Sequence, residues 1–191
     1  MQDNKIIIEG SGKHCHLTKE TFEKLFGKGA EMETKKPLSQ PGQFATPHKI
    51  TIAGPKGQTM MSILGPYRSA DQVELSFTDA RALGISAPIR ESGDLKGSPG
   101  CKLIGPAGES NISEGVVIAK RHLHMTPKDA EKVGVKDKQI IKVKTTGDRA
   151  LIFDDVVCRV SPNYATYMHV DYDELNAAAL FSENPLGEII L

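Results

Sequence analysis

A recurring pattern of strand end, metal-ligand residue and helix cap constrains this chain more than any other feature. In residues 115–130 a run of β-branched residues leads to His122 and His124, and Thr126 follows as a candidate helix N-cap, with Pro127 at the first helical position. Side chains two residues apart on a strand point to the same face, so the two imidazoles project together. Two such imidazoles supply half of a tetrahedral metal shell.

The same pattern occurs three more times, which indicates an internal repeat. In each copy a potential ligand is followed by one apolar residue and then by a capping residue, as in His14, His16 and Thr18, in Glu74 and Ser76, and in His169 and Asp171. An apolar residue just before the cap is in position to form a hydrophobic staple. We therefore predict a short helix after each copy.

The ligand types predict two metal sites with three protein ligands each. One site is formed by His14, His16 and Glu74 and the other by His122, His124 and His169. Imidazole and carboxylate without thiolate suit zinc best, and cobalt, nickel or iron less well. Three protein ligands leave a coordination position for water or substrate, which is typical of catalytic sites. Cys15, between two ligands, points to the opposite strand face, and a buried, inert thiol is favoured over a metal ligand there. His48 lies outside the repeat and is interpreted as a surface loop residue.

Strand-like segments outnumber helical ones, and the predicted helices are short. Residues 139–144, 150–153 and 156–160 are examples of the strands, and turn residues recur between them. This favours a mainly β barrel or sandwich over an alternating βαβ fold. The repeat predicts two halves, residues 1–110 and 111–191, with the N-terminal strand free to pack against the other half.

Charge and cysteine content limit the partners. Lys and Arg number 24 and Asp and Glu number 24, which gives no support for nucleic acid or an anionic membrane surface as a partner. No apolar stretch approaches the roughly 20 residues of a membrane-spanning helix, and the N-terminus lacks a signal-peptide pattern. The 3 cysteines are odd in number and far apart, which favours a reducing compartment. We predict a soluble, cytoplasmic protein.

Six motifs follow one another along nearly the whole chain. They are HCHLT at 14–18, LSQPGQF at 38–44, GPYRSADQVE at 65–74, RESGDLKGSPG at 90–100, KRHLHM at 120–125 and HVDYDELN at 169–176. In this order they resemble the phosphotransacylases of the propanediol-utilisation type, the phosphate propanoyltransferase family. That family usually has Arg before the first His pair, whereas Lys13 stands here, which affects a neighbouring contact and not a ligand.

The resemblance implies a fold and a reaction. The implied fold is two β-barrel domains capped by short helices, with two zinc ions per chain where the domains meet. The implied reaction is reversible: acyl-CoA and phosphate give acyl phosphate and CoA, so that coenzyme A is a substrate or product. Family members that enter bacterial microcompartments carry an amphipathic N-terminal extension. Because the first predicted strand here begins at Lys5, we expect either a cytoplasmic protein or a microcompartment protein whose extension is missing. We also expect a homo-oligomer, a dimer or higher.

Individual site residues follow from the resemblance. Arg68 matches the arginine that binds phosphate, a role suited to a guanidinium because it contacts phosphate with two parallel hydrogen bonds. Arg90 and Arg159 are secondary candidates, and an ordinary surface or ion-paired arginine is the alternative for all three. The residues that match the surroundings of the metals and phosphate are Gln40, Gln43, Gln72 and Ser92. Those that match contacts to CoA are Ser11, Lys36, Leu64 and Asn176.

The predicted mechanism is direct attack of bound phosphate on the thioester. Metal and Arg68 stabilise the developing oxyanion. The sequence contains no Ser-His-Asp or Cys-His arrangement suited to a covalent acyl-enzyme. Both propanoyl-CoA and acetyl-CoA fit this expectation. Two alternatives stay open: a zinc-dependent hydrolase of acyl-CoA or another substrate, and a non-catalytic metal-binding module.

Overall fold

The computed structural model describes residues 4–191, which form fifteen strands and four short helices. The strands, in chain order, are β1 (Lys5–Ser11), β2 (His14–His16), β3 (Lys36–Pro37), β4 (Phe44–Ala53), β5 (Gln58–Gly65), β6 (Gln72–Leu75), β7 (Ile89–Arg90), β8 (Cys101–Ile104), β9 (Glu109–Ile112), β10 (Val116–Ala119), β11 (His122–Met125), β12 (Ile140–Thr145), β13 (Ile152–Val160), β14 (Tyr167–Asp171) and β15 (Leu186–Ile190). The helices are α1 (Lys19–Phe26), α2 (Phe77–Leu83), α3 (Pro127–Val133) and α4 (Tyr172–Ala177). The predicted mainly β class is confirmed. Within residues 4–191, every helix is too short or too polar to span a membrane.

Contacts divide the described chain into two compact units. The barrel unit contains the described residues up to Ser11, together with Ser39–Pro41 and Lys120–Leu191. The sheet unit contains Gly12–Leu38 and Gly42–Ala119. Residues 111–119 therefore belong to the sheet unit by their contacts. The division of the chain into repeat halves at residue 110 stays a prediction.

The barrel unit is a closed barrel of six strands in the order β1-β14-β11-β13-β12-β15. Strand β12 shows how the sequence builds it: exposed and buried residues alternate along Ile140–Thr145, so that Ile141 and Val143 enter the interior while Lys142 and Lys144 face outward. The interior is filled by apolar residues such as Ile8 and Met168, which are fully buried. This packing holds the short strand β11 between β13 and β14.

The sheet unit is a nine-stranded sheet in the order β7-β10-β6-β2-β5-β4-β8-β9, with β3 paired to β4. Strands β2 and β6 are buried along their whole length. Helix α1 buries Phe22 and Leu25 in the core of this unit. Strand β2 lies between β5, to which it is parallel, and β6, to which it is antiparallel.

All four predicted helix caps are confirmed. The side chains of Thr18, Ser76, Thr126 and Asp171 each accept a hydrogen bond from the backbone N–H three residues later. At α4 the reciprocal bond is also present and completes a capping box. Helices α2 and α3 both end at a glycine in the left-handed region, Gly84 and Gly134, where a residue with a side chain would be strained. Each of the four strands that carry the potential ligands is therefore followed by a helix with a capped start.

The interpretation of His48 as a surface loop residue is wrong. His48 lies in β4 and is half-buried. Its ring packs edge-on against Phe22 and also contacts Phe26, with ring centroids 5.1 and 4.9 Å apart. An apolar face of α1 covers this part of the strand, which is a tertiary contact that the local Thr-Pro-His sequence does not reveal.

Candidate metal centres

The barrel unit brings together His122, His124 and His169. Strands β11 and β14 are antiparallel, and their register places His122 directly opposite His169. One potential ligand atom from each of the three residues lies within 4.8 Å of the other two. The His122 and His124 rings, two residues apart on one strand face, have centroids 4.6 Å apart. The three imidazoles are therefore near enough to share one ion.

The sheet unit brings together His14, His16 and Glu74 in the same way. His14 on β2 lies opposite Glu74 on the antiparallel strand β6, and His14 Nε2 is 3.5 Å from Glu74 Oε2. The ligand atoms of this group also lie within 4.8 Å of one another, and all three residues are buried. Thus in each unit the first histidine of the pair faces the third potential ligand across an antiparallel register.

Backbone carbonyls orient the first histidine of each pair. His14 Nδ1 lies 2.8 Å from the Gly12 carbonyl oxygen, and His122 Nδ1 lies 2.8 Å from the Lys120 carbonyl oxygen. Because a carbonyl only accepts, each Nδ1 carries the proton and donates it. In the neutral ring this leaves the lone pair on Nε2, which is the tautomer of a metal-ligating histidine whose outer nitrogen is held by the protein.

The second histidine of each pair is held neutral. Burial, helped by His122, His169 and Arg159, lowers the pKa of His124 to about 2. Burial, helped by His14 and Arg68, lowers the pKa of His16 to about 3.

His124 Nδ1 is buried and has no hydrogen-bond partner among residues 4–191. A buried polar atom without a partner is costly, and a cation would satisfy it. Imidazoles and a carboxylate, with no thiolate among the six residues, fit zinc.

Two of the predicted polar residues support Glu74. Gln72 Nε2 donates to Glu74 Oε1 at 2.5 Å and lies 2.8 Å from Ser92 Oγ. The Gly93 backbone N–H donates to Gln72 Oε1 at 2.9 Å. Gln72 and Ser92 therefore fix the carboxylate from behind, with the loop after β7 as a second anchor.

The other two predicted glutamines lie in different units. Gln40 belongs to the barrel unit, where its Nε2 donates to the Ala165 carbonyl at 3.0 Å and lies 3.4 Å from His169 Nε2. Gln43 lies in the sheet unit just before β4, and its carbonyl accepts from the Leu38 N–H at 3.0 Å. Gln40 is thus next to a potential ligand, whereas the Gln43 carbonyl closes a turn with Leu38.

The three candidate arginines have different surroundings. Arg68 is half-buried near His16, and its charge contributes to the lowered pKa of that histidine. Arg159 lies opposite His124 in the pairing of β11 with β13, and its charge likewise contributes to the lowered pKa of His124. Arg90 is instead near Asp94, with Nε 3.5 Å from Oδ2. One arginine therefore accompanies each triad, and the third forms an ion pair.

The candidate CoA contacts fall into two pairs. Lys36 and Leu64 flank Ala45 across the strands β3, β4 and β5, with Lys36 exposed. Ser11 is the register partner of Asp171, the cap of α4, and Asn176 is exposed on that helix. The first pair lies in the sheet unit and the second in the barrel unit.

Two side chains near the barrel triad are not predicted by the sequence. Glu9 is paired in register with His169, and its Oε2 lies 3.7 Å from His169 Nδ1. The Tyr164 ring lies with its centroid 4.3 Å from that of His124. The signal for Glu9 would have been the parallel pairing of β1 with β14, which joins opposite ends of the chain. Tyr164 follows a Ser-Pro-Asn turn and has no ligand-like spacing.

Burial keeps the three thiols protonated. It raises the pKa of the Cys15 thiol far above its usual range, that of Cys101 to about 12 and that of Cys158 to about 11. Cys15 is fully buried on the core side of β2. A thiol is nucleophilic only as the thiolate, so none of the three is activated.

The chain is similar to phosphate propanoyltransferases over most of its length. A family model described as phosphate propanoyltransferase matches residues 7–181. The phosphate propanoyltransferase of Listeria monocytogenes is 53% identical over 186 residues, which is 97% of this chain and 87% of the relative. That of Enterococcus faecalis is 53% identical over 180 residues, 94% of this chain and 85% of the relative. That of Thermotoga maritima is 54% identical over 177 residues, 92% of this chain and 84% of the relative.

Proposed function

The chain belongs to the phosphate propanoyltransferase family and is a phosphate acyltransferase, and from this premise we propose that it interconverts propanoyl-CoA or acetyl-CoA and phosphate with the acyl phosphate and CoA. The proposal includes two zinc ions per chain, one held by His14, His16 and Glu74 and the other by His122, His124 and His169. The observation that carries it is the matching construction of the two triads, each with its own arginine.

The residues around the triads supply positive charge for phosphate. When bound, zinc would polarise the thioester carbonyl as a Lewis acid and add charge near the phosphate. Arg68 donates two parallel hydrogen bonds to phosphate oxygens, which orients one oxygen for attack. Arg159 is the second cation available for the charge that develops on the carbonyl oxygen. Arg90, whose guanidinium faces Asp94, is a weaker candidate.

The neighbouring polar residues hold the ligands in place. Gln72 and Ser92 orient Glu74, and Gln40 lies beside His169. Gln43 is the least supported member of this group. Lys36 and Ser11, with Leu64 and Asn176, are proposed to contact CoA, and the exposed Lys36 is suited to neutralise one of its phosphates.

Phosphate is proposed to attack the thioester directly. The phosphate oxygen first bonds to the acyl carbon, and negative charge develops on the carbonyl oxygen. The carbonyl then re-forms as the bond from carbon to CoA sulfur breaks, and the sulfur leaves as the thiolate. The raised pKa of each thiol supports this route, because a protonated, buried thiol makes a poor acyl acceptor. Both substrates must then be bound together.

Location and assembly complete the proposal. We propose a cytoplasmic enzyme, or one in the lumen of a bacterial microcompartment concerned with propanediol degradation, that forms a homo-oligomer. Size-exclusion chromatography with light scattering tests the assembly, and co-purification with shell proteins tests the compartment.

A thiol-release assay tests the activity. The protein is mixed with propanoyl-CoA or acetyl-CoA, with and without phosphate, before and after removal of metal by a chelator. We expect CoA release that requires phosphate and falls on the order of 100-fold or more after chelation, with recovery on adding Zn²⁺. Equal release without phosphate would indicate a hydrolase, and no release would indicate a non-catalytic metal-binding module.

A further inference from the structure

Two ion pairs occupy the same position relative to the two triads. In the sheet unit Lys13 Nζ lies 2.8 Å from Asp79 Oδ1. In the barrel unit Arg121 Nε lies 3.0 Å from Glu174 Oε1. In both cases the cation immediately precedes the first histidine of the pair, and the acid lies five residues after the third ligand. Each pair thus links the two chain segments that supply one triad.

The acid of each pair also belongs to a helix start. Asp79 and Glu174 are the third residues of α2 and α4. The other carboxylate oxygen of Asp79, Oδ2, lies 3.3 Å from the hydroxyl oxygen of the cap residue Ser76. Glu174 uses its other oxygen, Oε2, to accept from the Asp171 backbone N–H at 3.2 Å. The cap follows the third ligand by two residues, so the acid is rigidly connected to Glu74 in one unit and to His169 in the other.

The cation of each pair is connected to the first histidine. The residue just before Lys13 is Gly12, and the residue just before Arg121 is Lys120. Their carbonyls are the ones that accept from His14 Nδ1 and His122 Nδ1, each at 2.8 Å. A cation that is fixed by its acid therefore fixes the neighbouring carbonyl, and the carbonyl sets the direction of the imidazole.

The two pairs are less exposed than ordinary surface pairs. The side chains of Lys13 and Asp79 are 34% and 23% exposed, and those of Arg121 and Glu174 are 32% and 21% exposed. The surface pair of Lys142 and Asp154 is 54% and 65% exposed. Water screens partly buried charges less, so these two pairs hold their geometry more strongly.

We infer that the two ion pairs position the triads for a divalent cation, Lys13 with Asp79 for one triad and Arg121 with Glu174 for the other. None of the four side chains is a ligand, and they act through the segments that carry the ligands. The inference rests on the proposed function in that the triads bind metal.

Co²⁺ titration of the metal-free protein tests the inference. Affinity is measured by competition with a chromophoric chelator, and the visible absorption of Co²⁺ reports the ligand geometry. We expect Lys13→Met and Arg121→Met, which keep an apolar stem, to weaken one of the two sites roughly 10- to 100-fold and to leave the other unchanged. Asp79→Asn and Glu174→Gln should do the same while keeping the helix cap. The matched controls, Lys102→Met and Lys142→Met, break the more exposed pairs with Glu109 and Asp154, which lie outside the triads, and should change neither site.

The outcomes separate positioning from stability. A purely structural role would lower the melting temperature of the metal-free protein and leave both Co²⁺ affinities unchanged, which would overturn the inference. Lys13→Arg should restore the affinity that Lys13→Met loses. Equal weakening of both Co²⁺ sites by Lys13→Met, or by Arg121→Met, would also overturn the inference. Wild-type protein that binds no Co²⁺ at all would overturn the metal centres of the proposed function, and that result is distinct because it needs no variant.

Discussion

The Thr21 hydroxyl donates a hydrogen bond to Asp71 Oδ2 at 2.6 Å. The other carboxylate oxygen of Asp71 accepts the backbone N–H of the cap residue Thr18 at 2.7 Å. Asp71 lies three residues before Glu74, and Thr21 is the third residue of α1. The two bonds therefore tie the helix that follows the histidine pair to the strand that carries Glu74, the third potential ligand.

The barrel unit has an equivalent Thr–Asp hydrogen bond, but the threonine and the aspartate have exchanged positions. Asp129 is the third residue of α3, and Thr166 lies three residues before His169. Thr166 Oγ1 donates to Asp129 Oδ2 at 2.5 Å and accepts from the Thr126 N–H at 3.3 Å. The two units thus share one arrangement of hydrogen bonds built from opposite residues, which is strong evidence for the internal repeat.

This exchange predicts a compensating pair of substitutions. Thr21→Asp alone places a second carboxylate against Asp71 and should lower the free energy of unfolding by about 1–3 kcal/mol. Adding Asp71→Thr should recover most of the loss, because the double variant reproduces the Asp129 and Thr166 arrangement. Urea unfolding of the metal-free single and double variants measures the coupling. Strictly additive effects would show that the two positions are not equivalent.

The local part of the site could be predicted from the sequence. Ligand spacing on a strand and helix capping are both short-range properties, so His122, His124 and Thr126 identify a strand end and a helix start without further information. Repetition then connects distant segments, since copies of one motif are expected to take equivalent places. That reasoning places Glu74 with His14 and His16, and His169 with His122 and His124, as they are grouped in the structure.

The long-range part could not be predicted. Strand β1 pairs in parallel with β14, and β10 pairs in parallel with β6. Strand β1 immediately precedes the pair His14 and His16 but belongs to the barrel unit, whereas that pair belongs to the sheet unit. Strand β10 immediately precedes the pair in β11 but belongs to the sheet unit, whereas that pair belongs to the barrel unit. Such an exchange leaves no local signal, because parallel pairing depends on the rest of the fold. Glu9 reaches His169 only through this pairing.

Removal of one ligand should empty one metal site. His124→Ala and His169→Ala should each bind one zinc ion fewer per chain and lose activity by orders of magnitude, since two remaining ligands hold a metal far more weakly than three. Metal content by mass spectrometry of purified protein, alongside thiol release, measures both effects. His48→Ala is the control, because that imidazole packs on Phe22 outside the triads. Full activity with one ion missing would contradict a role for both metals.

Arg68→Lys should affect phosphate selectively. Lysine keeps the charge but not the planar fork, so the KM for phosphate should rise on the order of 10-fold or more while that for acyl-CoA changes little. Initial rates at varied concentrations of each substrate give both constants. The matched variants Arg159→Lys and Arg90→Lys should have smaller effects on phosphate. An unchanged phosphate KM in Arg68→Lys, with a raised one in either control, would assign the role to that arginine.

Substitution of the thiols should leave turnover largely intact. Cys15→Ser and Cys158→Ser replace protonated, buried thiols, and direct attack by phosphate requires neither. Cys15→Ser carries the larger structural risk because Cys15 lies between two potential ligands, His14 and His16. Initial-rate plots against the two substrates should intersect, as expected for a ternary complex. Parallel lines, or an acylated protein detected by mass spectrometry after mixing with acyl-CoA alone, would instead indicate a covalent intermediate, with Cys15 examined first.

Glu174 should give the metal-free protein a pH-dependent stability. Burial raises the pKa of Glu174 from 4.5 to about 6; the nearby Arg121 opposes this shift, and Asp171 adds to it. The folded state binds the Glu174 proton more tightly than the unfolded chain does, so the protonated carboxyl adds to the free energy of unfolding. This added stability is fully present below pH 4.5 and is lost as the pH rises through 6. The loss is at most about 2 kcal/mol.

The difference between wild type and Glu174→Gln isolates this contribution. Glutamine keeps the shape and the capping position but does not titrate, so the variant should lose less stability than wild type between pH 4.5 and 6. The buried histidines, whose pKa values are lowered, contribute the opposite slope, but they do so in both proteins and cancel in the difference. Unfolding of metal-free protein in urea at intervals across this range measures the two slopes. Parallel curves would show that the Glu174 carboxyl ionises as readily in the folded protein as in the unfolded chain.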